Sequence, residues 1–348
     1  MTSPATSPQT TVPVTTEAAL LHGAGDIRLE QLPLRALEPG EVMVEIKSGG
    51  ICGSDMHYFA DGRNGSNELR QPTVLGHEAA GVVVAAGVQT TTAIGTSVVI
   101  EPAVPCRNCP SCESGRYNVC PTGTCFGSPP THGLFARHVV APESTLHELP
   151  DNVPAEIGAA IEPLAVAVWA VERAQVRAGD RVLITGAGPI GLLVAQVAAA
   201  NGAAEIIVTD INDDRLAVAA KIGATRIINT AREELDVSGL DRLIECSGNT
   251  AALISGIKTL GPAARATVVG QARPTVDGIP LAYLQRYEID LVTAFRYANA
   301  FPTAIELARS GKVDLRAIIT GTFPLADVAS ALVAPSTDPT HLKVLLSY

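Results

Sequence analysis

The rhythm of hydrophobic and polar positions changes near residue 180. Before it, the apolar runs are short and strand-like. In "EVMVEIK", Val42, Val44 and Ile46 alternate with Glu41, Glu45 and Lys47, the period of a half-buried strand. "GVVVAAG" and "SVVIEP" are apolar runs closed by Gly, Ser and Pro, again strand-like. After it, "RVLITGAGPIGLLVAQVAAANG" reads as a strand, a Gly-rich turn and a helix ending at Asn201-Gly202. Strand-like runs recur in "EIIVTD", "RIINT", "RLIECSG", "RATVVG" and "IDLVTAF", with helix-like stretches between most of them. Alternating β and α predicts a parallel sheet with helices on both faces. Only "AREELDVSGLD" joins the third and fourth of these strands. That is near the shortest crossover, about 10–12 residues, so at most one or two helical turns fit. Six strands complete such a sheet. The helix "PTAIELARSG" and the final "KVLLSY" therefore pack elsewhere, most simply back on the first part of the chain.

The chain of 348 residues has room for two cores. It is 47% hydrophobic and 17% charged, a soluble globular composition, with a net charge of −10. That charge disfavours nucleic acid and anionic membranes as partners. No apolar run is long enough to span a bilayer. Residues 1–16 are rich in Ser, Thr and Pro and lack a signal peptide's basic and apolar regions. They read as a disordered tail, and the cytoplasm is the default compartment. Cysteines there are more often metal ligands or core thiols than disulfides.

Two candidate metal sites and one cofactor site emerge. Cys106, Cys109, Cys112 and Cys120 have the spacing C-x2-C-x2-C-x7-C. Four thiolates close a tetrahedral ion and leave no open position, so the reading is structural zinc. An iron–sulfur cluster is the rival, and a disulfide pair the plainer alternative. A sparser set comprises Cys52, His77, Glu78 and Glu162, the last an acidic residue in apolar "IEPLAVAVW". Singly, each has a dull explanation. Together they offer a thiolate, an imidazole and two carboxylates, enough for zinc with a position open to substrate. Cys125 and Cys246 read as small apolar residues. Gly186, Gly188 and Gly191 form Gly-x-Gly-x-x-Gly between strand and helix. There the turn admits a pyrophosphate to the backbone and the helix N-terminus. Asp210 ends "EIIVTD" 19 residues past Gly191, with no Arg directly after it. A carboxylate there accepts from ribose hydroxyls and repels a 2′-phosphate, which predicts NAD over NADP.

In "GGICGSDMHYF", "VLGHEAAG", the four-cysteine lobe, "IEPLAVA", "GAGPIG" and "AFRYANAFP", in that order, the chain from about residue 17 resembles the zinc-dependent medium-chain dehydrogenases. Its "CGSDMHYF" and "FRYAN" are similar to the polyol branch, the sorbitol, L-iditol and xylitol dehydrogenases. The resemblance implies an α/β fold: a GroES-like β-rich catalytic domain at 17–160, a doubly wound Rossmann domain at 161–299, and a return to the first at 300–348. It implies catalytic zinc on Cys52, His77 and Glu78, with Glu162 beside it as ligand or substrate contact. Ser54 would lie at the substrate oxygen with His57 as a proton relay, and Tyr58, Arg296 and Tyr297 at the substrate. Pro189, Ile190, Arg215, Val269, Gly270, Gln271, Phe295 and Arg296 join the glycines and Asp210 at the cofactor. The implied activity is NAD-dependent oxidation of a secondary alcohol of a small polyol, in a homodimer or homotetramer. L-Idonate 5-dehydrogenase is the nearest alternative, with Arg63 and Arg70 as extra cations of uncertain direction. A 2,3-butanediol dehydrogenase is less favoured, and a non-enzymatic NAD-binding protein least.

Overall fold

The structure is a computed structural model and describes residues 13–271 and 275–348. Residues 1–12 of the expected tail lie outside that range, and strand Thr15–Gly23 already takes up the tail's last two positions.

Two large sheets, of the five among the described residues, carry most of the chain. The first has seven strands. Leu146–Glu148, Ser97–Ile100, Glu78–Ala86, Glu41–Gly50, Lys343–Ser347 and Ile319–Pro324 lie in that spatial order, and His138–Pro142 also pairs with Glu41–Gly50. The strand expected from "EVMVEIK" is buried on both faces over Val42–Val44, because packing covers Met43 as well as its neighbours. The second sheet has six parallel strands: Arg226–Asn229, Glu205–Asp210, Arg181–Thr185, Leu240–Glu245, Leu260–Val268 and Asp290–Thr293. In chain order this is 3-2-1-4-5-6, the dinucleotide-binding arrangement whose crevice opens where the order reverses. The short crossover between Arg226–Asn229 and Leu240–Glu245 contains no helix.

The last strands do return to the first sheet: Lys343–Ser347 pairs antiparallel with Glu41–Gly50. The crossing comes later than residue 300, however. Helix Phe301–Arg309 buries Phe301 and Ala304 in one core with Leu164, Val168 and Leu193 of the second half. The chain rejoins the first sheet only at Ile319–Pro324.

Four helices position the site. Helix α1 (Gly53–Asp61) follows Cys52. Helix α2 (Ile161–Ala174) is buried along most of its length, and its core includes Ala80 and Val99 of the first sheet with Ile184 and Leu193 of the second half. It ties the two halves, and its N-terminus opens toward the crevice. Helix α3 (Pro189–Ala200) leaves the nucleotide turn, and α4 (Phe301–Arg309) packs beside α2.

Candidate active site

Cys52 is the N-cap of α1. The Asp55 carboxylate reaches back to accept the Cys52 N–H at 3.0 Å, a capping-box contact that fixes the thiol at the helix start. The other Asp55 oxygen accepts the Gly76 N–H at 3.2 Å and lies 3.7 Å from Nδ1 of His77. One fully buried carboxylate thus holds the backbone at Cys52 and just before His77, and lies beside the imidazole. Outer carboxylates of this kind commonly hold metal-binding imidazoles. Glu78 begins strand Glu78–Ala86 and is 1% exposed. Its two oxygens accept from Nζ of buried Lys343 at 2.7 and 2.8 Å, and the same Nζ donates to the Ile51 carbonyl at 2.9 Å. Sulfur, ring nitrogen and carboxylate oxygen of Cys52, His77 and Glu78 all lie within 4.8 Å of one another.

Burial pushes the His77 imidazole down, but the charges of Asp55 and Cys52 outweigh it and hold it well above its ordinary value. A thiol, an imidazole and a carboxylate that converge within 4.8 Å, with the Asp55 carboxylate behind the imidazole, make a donor set of the kind that zinc takes. These residues fit the metal.

Glu162, in the first turn of α2, lines the same cavity but stands outside the close three-residue group. Burial pushes its carboxyl up to about 7, opposed by His77 and reinforced by Glu78. It is suited to hold or pass a proton near neutrality. The cavity measures about 500 Å³. Ser54, Tyr58, Arg296, Tyr297 and Cys125 also line it. Tyr58 is held by Asn67, whose Nδ2 donates to its hydroxyl at 2.8 Å. His57 is not among the lining residues; its side chain is 54% exposed and lies 3.8 Å from Asp61. Arg63 and Arg70 do not line the cavity either.

The same cavity reaches the nucleotide turn at Pro189 and Ile190 and is lined also by Arg215 and Phe295. Gly186 adopts φ +93°, and a Cβ on Gly191 would stand 1.8 Å from the Gly186 carbonyl oxygen, so the turn tolerates neither side chain. Over Gly188, the N-cap of α3, a Cβ would meet nothing within 4 Å, and no side chain caps that helix. Its free N–H groups face open space, as a bound phosphate requires. Asp210 accepts from the N–H groups of Ala187, Ile211 and Asn212 at 2.7–2.9 Å, which fixes its carboxylate at the crevice end of the strand. Nε of Arg215 is buried without a partner. Val269 and Gly270 both donate to the Glu245 carbonyl. Nε2 of Gln271 donates to Asn64 at 2.8 Å across the mouth of the cleft.

The second cysteine group is compact. Sulfur separations are 3.9 Å for Cys106–Cys112, 3.5 Å for Cys109–Cys112 and 3.9 Å for Cys109–Cys120. Four thiolates about 2.3 Å from zinc would stand about 3.8 Å apart. All seven cysteines are free thiols. Backbone donors, first the Cys106 N–H, hold the Cys120 thiol down at about 6. The lobe fits a second zinc.

Asp55 and Lys343 were not singled out in the sequence. Asp55 carried a signal, since an acid three residues past an N-cap marks a capping box. Lys343 carried none: it is 265 residues from Glu78.

The model of the alcohol dehydrogenase GroES-like domain matches residues 38–151, and that of the zinc-binding dehydrogenases matches 189–310. Sorbitol dehydrogenase of Bacillus subtilis is 37% identical over 333 residues, covering 92% of this chain and 94% of the relative. The solved L-idonate 5-dehydrogenase of Escherichia coli K-12 superposes with a TM-score of 0.91 at 29% identity, over 96% and 99% of the two chains. An alcohol dehydrogenase from Escherichia coli CFT073, solved with NADH, gives 0.90 at 28% identity, over 97% and 100%. With its doubly wound sheet, GroES-like partner and two zinc-type donor sets, the chain belongs to the zinc-dependent medium-chain dehydrogenases. Within them it falls in the polyol dehydrogenase branch.

Proposed function

We propose that this enzyme oxidises a secondary alcohol of a small neutral polyol to the ketose, with NAD as the hydride acceptor. The carrying observation is one cavity that joins the Cys52–His77–Glu78 group to the nucleotide turn and is lined by Tyr58, Arg296 and Tyr297 between them. Cys52, His77 and Glu78 would hold a zinc ion, which when bound would supply a Lewis acid, and a nicotinamide would supply the hydride acceptor. The chain's own work is positional. Asp55 holds the backbone at Cys52 and just before His77, while Arg296 and Tyr58 present polar groups to a hydroxyl-rich chain. Glu162 and Ser54, which line the cavity, would take the released proton, and exposed His57 would serve only the outer end of such a route. Asp210 favours NAD over NADP by repelling a 2′-phosphate.

An L-idonate substrate is the second reading, supported by the likeness to the solved idonate enzyme. A carboxylate asks for added cations. Arg63 and Arg70 stand off the cavity and Lys343 is committed to Glu78, so a neutral polyol suits the lining better.

The proposal extends to a cytoplasmic homo-oligomer. Asp290–Thr293 is an edge strand with Leu291 39% exposed, and pairing two such edges joins two sheets; light scattering measures the mass. No described helix is long and apolar enough to cross a membrane.

The test is Cys52→Ala. Expected are loss of turnover by at least ~10³-fold, one zinc fewer per chain, and unchanged NADH binding by fluorescence. Retained turnover in the zinc-depleted variant would overturn the metal assignment.

A further inference from the structure

The four-cysteine lobe touches the substrate lining through residues that are not cysteines. Nδ2 of Asn118 donates to the Phe295 carbonyl at 2.8 Å. The Tyr117 hydroxyl accepts the Asn299 N–H at 2.8 Å and donates to Oε1 of Glu101 at 2.7 Å. Nδ2 of Asn299 donates back to the Gly115 carbonyl at 3.2 Å. Three hydrogen bonds thus join residues 115–118 to residues 295–299. Asn118 is only 5% exposed. Glu101 is itself held, at 2.9 Å from Nε2 of His147, whose ring stacks on Phe301 of α4 at 4.8 Å.

The clamped segment is backbone-strained. Arg296 sits at φ +49° and Asn299 at φ +57°, the left-handed region that side-chain-bearing residues occupy at a cost and only when their surroundings hold them there. The Phe295 carbonyl belongs to the peptide plane that enters Arg296, and the Asn299 N–H to the plane that enters Asn299. Anchoring those two planes holds both ends of the turn that contains Arg296, and the Asn299 side chain, bonded to the Gly115 carbonyl, ties down the residue that follows. Between the anchors lie Arg296 and Tyr297, both lining the cavity.

We propose that Tyr117 and Asn118 are positioning residues for the substrate: the lobe holds the 295–299 segment in its left-handed turn and so aims Arg296 at the distal hydroxyls of the polyol. The lobe is then a specificity element as well as a brace. This rests on the polyol reading above.

The experiment compares Asn118→Ala, Tyr117→Phe, Arg296→Ala and the double variant Asn118→Ala/Arg296→Ala. Readouts are KM and kcat for sorbitol and for 2-butanol, which has no distal hydroxyl, together with zinc content and melting temperature. Expected is a ~10-fold rise in KM for sorbitol in each single variant, kcat within about twofold, unchanged KM for 2-butanol, and full zinc. The double variant should show no further rise, because the two residues act through one contact. If Arg296→Ala raises the sorbitol KM while Asn118→Ala and Tyr117→Phe do not, the positioning role is wrong and the polyol reading survives. If Arg296→Ala leaves the sorbitol KM unchanged, the polyol reading fails and takes the positioning role with it. A parallel rise for 2-butanol, or loss of lobe zinc, would make the contact merely structural. Should Asn118→Ala not fold, Tyr117→Phe alone decides between these outcomes.

Discussion

At the scale of single residues, the proposed ligands lean on Asp55, which accepts the Cys52 N–H, and on Lys343, which pairs with Glu78. The Lys343–Glu78 pair is buried, so removing one partner strands a charge in the interior. Lys343→Met should destabilise the metal-free protein by about 3–5 kcal/mol, and Lys343→Met/Glu78→Leu should recover part of that loss; denaturant melts of the two variants decide it. An unchanged midpoint in Lys343→Met would mean that Glu78 is stabilised by something else. Asp210→Ala should shrink the ratio of kcat/KM for NAD over NADP by at least ~10-fold, about 1.4 kcal/mol of discrimination. Equal use of both cofactors by the wild type would refute the role given to Asp210. Residue identity made Asp210 legible, because its spacing from the glycines is local. Lys343 was not legible, since nothing short of the closed sheet brings residue 343 to residue 78.

Elements decide which of these residues meet. The strand–turn–helix at 181–200 was readable because its constraints are all within one turn. Gly191→Ala should raise KM for NAD by ~10-fold or more while leaving zinc content intact; isothermal titration with NADH and metal analysis check both. The start of α1 at Cys52 was not predicted, although the acid at Asp55, three residues past the N-cap, is the local mark of a capping box. Less legible was α4, which belongs to the core around α2 although its sequence sits past the last parallel strand. Its amphipathic pattern says that it packs, not against what. Glu143 shows how one side chain holds a loop on the first sheet. Its carboxylate accepts from the N–H groups and hydroxyls of Thr91 and Thr92, and these bonds depress it to about 2 from an ordinary 4.5. A depressed carboxyl contributes stability above its unfolded value and loses it as pH falls. Glu143→Gln should therefore melt lower than wild type at pH 7, with the gap closing between pH 4.5 and about 2. A gap that is constant with pH would assign the effect to packing.

On the scale of the whole molecule, the chemistry lies between two sheets that the sequence describes separately. The dense cysteine run at 106–120 is the louder metal signal, yet its four sulfurs form a closed group of their own. The open set, Cys52, His77 and Glu78, is brought together by the first sheet and α1, while Glu162 on α2 lines the same cavity outside it. That division was legible from donor counting, whereas the contact between lobe and substrate lining was not, because it joins residues about 180 positions apart. Chelation that removes only the more exchangeable zinc should abolish turnover with the fold intact by circular dichroism; loss of folding in step with turnover would contradict separate roles for the two sites. The most direct test is NADH formation at 340 nm across sorbitol, xylitol, L-iditol, galactitol, L-idonate and 2,3-butanediol. Expected is the highest kcat/KM on a neutral polyol. Turnover confined to L-idonate or 2,3-butanediol, or none with any of the six, would contradict the polyol assignment.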